Sequence, residues 1–75
     1  MTDGGKLRIG IDGARELAIE VDDIDDAVST VEKGLGSASP LIWLTDRQAG
    51  RHGIVAARVA FVEVERASDR SVGFG

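Results

Sequence analysis

Residues 40–65, PLIWLTDRQAGRHGIVAARVAFVEVE, constrain the fold more than any other part of this chain. They hold the only Trp, the only His, the only Pro and one of the two Phe. Their apolar residues come in short β-branched and aromatic runs parted by turn residues, which is a strand pattern rather than a helical one. Residues 41–45 form a strand that is apolar on both faces, with Leu41 and Trp43 on one side and Ile42 and Leu44 on the other. Asp46-Arg47-Gln48-Ala49-Gly50 is a hairpin loop, and residues 51–55 are the returning strand. Ala56-Ala57-Arg58 makes a short turn before a last strand at 59–65. Strict alternation there puts Ala60, Val62 and Val64 on one face, and Val59, Phe61, Glu63 and Glu65 on the other.

The remainder of the chain must pack against these strands. Residues 1–5 are polar and glycine-rich and predict a frayed, flexible tail, leaving 6–75 as a single small domain. Residues 6–11 and 15–21 alternate with period two and flank Asp12-Gly13-Ala14, so they read as an N-terminal hairpin. Ile24, Ala27, Val28, Val31 and Leu35 then recur at helical spacing. Asp22 or Asp23 caps that helix, Asp25 and Asp26 sit in its first turn, and Lys33 lies near its end. Gly34 or Gly36 is expected to end it in the left-handed conformation. The predicted class is α+β in the order ββαβββ, a mostly antiparallel sheet with one helix packed on one face.

A chain of 75 residues makes one domain whose stability is on the order of 4–11 kcal/mol. It has no cysteine, so disulfides and thiolate metal sites are excluded, and the single His leaves no set for structural zinc. Self-association is the remaining common route to extra burial. The net charge is −4, with nine acids against four bases in residues 1–40 and four against five in residues 41–75. An acidic chain without a Lys/Arg cluster argues against a nucleic-acid partner. No uncharged run approaches the ~20 residues of a membrane span, and MTDGGK lacks the pattern of a signal peptide, so the expected setting is the cytoplasm.

The chemical motifs are weak. A calcium loop counted from Asp22 would need Gly and Glu where Ala27 and Lys33 stand, so the aspartates read as helix caps. Gly10 to Gly13 leads into a strand and Gly34 to Gly36 ends a helix, so neither presents the N–H donors of a phosphate loop. His52, beside Arg51 at a strand start, reads as a solvent-side residue with no nucleophile to activate. No cofactor and no catalytic set is expected. Arg47, Arg51 and Arg58 form a possible anion rim, although a solvated rim is the simpler reading.

At this point the chain resembles a family of short actinobacterial proteins, a domain of unknown function. The matching pieces are LRIGIDGARELAIEV, LIWLTDRQAGRHGIV, AARVAFVEVE and the ending Val72-Gly73-Phe74-Gly75. Members commonly have Pro where Ala56 stands and Tyr where Phe61 stands. The resemblance implies an α+β fold and a cytoplasmic setting, and no activity. Such proteins are sometimes labelled ATP-binding, and no phosphate-binding motif stands here to support that.

The strongest functional signal is apolar surface. One helix covers one sheet face, so Leu41, Trp43, Val59 and Phe61 are left facing away from it. The ending of the chain, through Phe74, could fold back over that patch. The expected function is a small non-catalytic interaction module that forms a homodimer through this face or a sheet edge. The alternatives are a small-molecule or nucleotide binder using the arginine rim, and an RNA-associated module.

Overall fold

A computed structural model describes residues 3–13 and 15–67. Five strands and one helix follow the expected order: β1 Gly5–Ile11, β2 Glu16–Val21, α1 Ile24–Leu35, β3 Leu41–Thr45, β4 Arg51–Val55 and β5 Val59–Arg66. A single 3-10 turn, Ala56–Arg58, joins β4 to β5. The protein is α+β, as predicted.

The strands do not form one sheet. They divide into a three-stranded antiparallel sheet ordered β2-β1-β5 and a separate β3–β4 hairpin. The reason lies in the 3-10 turn. It carries the chain off the hairpin, and the N–H of Asp12 donates to the Arg58 carbonyl at 2.6 Å as β5 begins beside β1. The last strand therefore pairs with the first, and not with its neighbour in sequence. At the other end the hairpin loop reaches the larger sheet, where the Arg47 N–H donates to the Glu20 carbonyl at 2.8 Å.

The core is shared by all three layers. Leu7, Ile9, Ile19 and Val21 come from the larger sheet, Ile24, Ala27 and Val31 from α1, and Ile42, Leu44 and Ile54 from the hairpin. β1 has a strand on each side, so Leu7 and Ile9 are 0 % and 1 % exposed. Burial of that extent contributes roughly 1.5–3 kcal/mol per side chain.

The helix is capped as its sequence suggests. Asp23 Oδ1 accepts from the Asp26 N–H at 3.0 Å, and Asp25 and Asp26 occupy the first turn. Its end differs from expectation. The cap is Gly36 at φ −92°, which is not left-handed, and Gly34 lies inside the helix. Gly34 is needed for space instead, because a Cβ there would press into Ile42 Cγ1. Leu35, expected on the buried stripe, is exposed beyond the point where α1 meets β3.

β1 starts at Gly5, one residue ahead of the expected strand, and Asp3 and Gly4 before it make backbone bonds. The Asp3 carbonyl accepts from Ile24 N–H at 2.8 Å and that of Gly4 from Ala67 N–H at 2.9 Å. One further expectation needs correction: the facing of β5 changes along its length. Val62 and Val64 oppose Ile9 and Leu7 on the core side, but the register slips between Gly10 and Ile11, leaving Ala60 unpaired. This bulge turns Val59 inward opposite Ile11, against the core, and away from the face that holds Phe61. Val64 remains 43 % exposed at this sheet edge despite its core-side facing.

Candidate interaction surface

The outer face of the β3–β4 hairpin follows from its register. Leu41 opposes Val55, Trp43 opposes Gly53 and Thr45 opposes Arg51. Because Ile42, Leu44 and Ile54 point into the core, these six residues point away from it. Trp43 is 49 % exposed, Val55 45 % and Leu41 37 %. Among the described residues, no element lies over them.

Trp43 is held in place. A Cβ at residue 53 would come within 2.9 Å of the indole, so only glycine lets the ring lie across β4. The Arg51 guanidinium sits 4.8 Å from the ring centroid. Such a cation–π contact contributes about 0.5–1 kcal/mol at an exposed site. The ring is thus a positioned apolar platform.

The surroundings differ on the two sides of this strip. Leu35, Pro40, Val55 and Ala56 line an open, largely apolar depression. Across β3 from Arg51, Asp22, Asp23, Asp26 and Asp46 line a groove of about 300 Å³ between α1 and β3, whose wall includes Trp43 and Thr45.

Of the residues expected at one apolar face, the structure brings together Leu41 and Trp43. Val59 packs at the core margin. Phe61 is exposed on the larger sheet, with its ring over Gly10. Its neighbours there are charged, since Lys6 opposes Glu65 and Arg8 opposes Glu63, with Arg8 Nη1 3.8 Å from the carboxylate. Phe74 lies outside the described residues. Val55 and Leu35 belong to the exposed apolar surface and were missed. Counting back from Gly50 pairs Val55 with Leu41, and a glycine facing a strand Trp is the signal that marked the ring's resting place.

The three arginines do not share a surface. Arg47 donates from Nε to Asp22 Oδ1 at 3.1 Å, and Arg51 lies on Trp43. Arg58 stands at the far end of both sheets, beside the β1–β2 turn.

His52 is not a solvent-side residue. It is half-buried, and its Nε2 lies 2.8 Å from Asp46 Oδ2. Asp46 Oδ1 accepts from the N–H groups of Gln48 and Gly50, each at 2.8 Å. These bonds, His52 first and then Gly50 and Gln48, hold the Asp46 carboxyl below the usual carboxylate range. The arrangement closes the hairpin loop, in which Ala49 takes a left-handed φ of 68°. At the helix start, the Arg66 guanidinium likewise lowers the Asp25 carboxyl, across a 2.6 Å bond.

The family comparison covers nearly all of this framework: the family model described as "Protein of unknown function (DUF3107)" matches residues 6–75. The chain belongs to the DUF3107 family. The match includes β2, α1, β3, β4 and β5 whole, so both the hairpin platform and the acidic groove are built from DUF3107 sequence. No curated protein matches the chain. Among the described residues, no helix of this DUF3107 member is long and apolar enough to cross a membrane.

Proposed function

We propose that this protein is a small non-catalytic interaction module that forms a homodimer through the outer face of the β3–β4 hairpin. The observation that carries this reading is the exposure of Leu41, Trp43 and Val55 on one face, with the indole fixed over Gly53. Trp and Arg are among the residue types enriched at interface hot spots, and Trp43 stands at the centre of the face with the Arg51 guanidinium over its ring. A positioned ring loses little freedom when a partner covers it, which favours association. Marginal domain size adds a motive, since a second copy supplies the burial that 75 residues lack. The same reading sets the protein in the cytoplasm of an actinobacterium, supported by the family resemblance and the absence of cysteine.

The test is size-exclusion chromatography with light scattering on wild type and Trp43→Glu. A dimeric wild type and a folded, monomeric variant are expected. A wild type that stays monomeric at high micromolar concentration rejects the homodimer. The nucleotide alternative has less support, because Arg47 is paired with Asp22 and Arg58 stands apart from Arg51. A thermal-shift screen with ATP and GTP checks it, since a ligand at a hundred times its Kd adds about 2.7 kcal/mol.

A further inference from the structure

We infer that the two copies dock about a two-fold axis that lies in the interface and runs along β3, with Arg51 of each copy against Asp26 of the other. This rests on the self-association proposed above and specifies its register. It starts from charges left unmatched within one chain. Arg8, Arg47 and Arg66 each have a carboxylate partner: Glu63, Asp22 and Asp25. Among the described residues, Arg15, Arg51 and Arg58 have none, and of these Arg51 is the one on the outer face of the hairpin, its guanidinium over Trp43. Among the described residues the Asp26 carboxylate also has no cation, while Asp22 and Asp25 are paired and Asp23 caps the helix.

The two unmatched charges flank the same ring. Arg51 stands on β4, to one side of Trp43. Asp26 stands on α1, to the other side, in the groove walled by Trp43 and Thr45. Thr45 is the register partner of Arg51, so Arg51 and the Asp26 groove lie at similar heights along β3. Rotation about an axis along β3 exchanges the two sides and preserves height. Arg51 of one copy then meets the groove holding Asp26 of the other, twice per dimer, while the Trp43 rings meet near the axis. Asp22, Asp23 and Asp46 line the same groove and deepen its negative field. An axis across the strands would instead set Arg51 against Val55 and leave both charges unanswered. One surface carrying both halves of the contact selects a second copy over an unrelated basic partner.

Sedimentation equilibrium on wild type, Arg51→Glu, Asp26→Arg and the double variant tests the register, with circular dichroism melts keeping folding apart from assembly. Each single reversal should weaken the dimer at least about tenfold, and the double variant should return to within about threefold of wild type. If a reversal fails to fold, Arg51→Gln and Asp26→Asn should weaken the dimer in the same direction by less. A dimer broken by Trp43→Glu but indifferent to the single reversals, or not restored by the double variant, overturns the register and leaves self-association standing. A monomeric wild type overturns both.

Discussion

β1 and β3 carry similar alternation and put it to different use. On β1 the inward residues Leu7 and Ile9 are fully buried, and the outward residues Lys6 and Arg8 face Glu65 and Glu63 across the strand pair. On β3 the inward residues Ile42 and Leu44 are as well buried, yet the outward residues are Leu41 and Trp43. Folding requires only one apolar face per strand, since one face reaches the core. The outer face of β1 matches that requirement. The outer face of β3 exceeds it, and contiguous exposed apolar surface of this kind is what the proposed interaction would use.

The sharpest way to break this contrast is to damage each strand on each face. Ile9→Ala should cost about 2–5 kcal/mol in urea or thermal unfolding, enough to unfold a large share of a domain this small. Leu44→Ala should fall in the same range for the same reason. A loss under about 1 kcal/mol at both sites would show that the shared core is looser than its burial indicates. Gly34→Ala comes next. Alanine gains about 1 kcal/mol of helix propensity over glycine, but its Cβ would press into Ile42. Overpacking of about 1–3 kcal/mol should outweigh the gain, so the variant should melt below wild type. Gly10→Ala meets first the half-exposed Phe61 ring, which can swing aside, and should cost less.

The hairpin loop offers a pH test. The folded Asp46 carboxyl is held below its unfolded value by His52, Gly50 and Gln48. A depressed carboxyl contributes stability above its unfolded pKa and loses it as pH falls through the folded one. Asp46→Asn should therefore be less stable than wild type at neutral pH, with the gap closing below about pH 4. Parallel stability curves down to pH 2 would contradict this. The smallest effect should come from the face in question. Trp43→Thr should change monomer stability by less than about 1 kcal/mol while abolishing dimer formation. A larger loss would mean the ring serves the fold and not a partner.

Much of the local structure was legible in the residues. The helix start followed from the aspartates at 22–26, because capping depends only on near neighbours, and the structure chose Asp23 over Asp22 as the cap. The first hairpin followed from alternation on either side of Asp12-Gly13-Ala14, and the second from two short apolar runs flanking the 46–50 turn residues. The facing of Leu41 and Trp43 was assigned correctly but not forced, since both faces of β3 are apolar and a one-residue slip would exchange the two pairs. Val59 was assigned to the wrong face. A bulge at Ala60 breaks the alternation, and nothing in VAFVEVE marks it. His52 was read as exposed because its bond to Asp46 spans a loop whose closure depends on Ala49 and Gly50.

Sequence alone determined the element order, the alternating faces of β1 and β2, the acidic start of the helix and the excess of apolar residues around Trp43. These are local properties, set by side-chain period and by neighbours within a turn or two. Tertiary structure decided that the strands form two sheets, that β5 joins β1, and that the described residues leave Leu41, Trp43 and Val55 exposed while Val59 packs against the core. Those outcomes depend on which distant segments share a core, and burial of apolar surface is non-directional, so pattern alone does not choose among the pairings that would satisfy it.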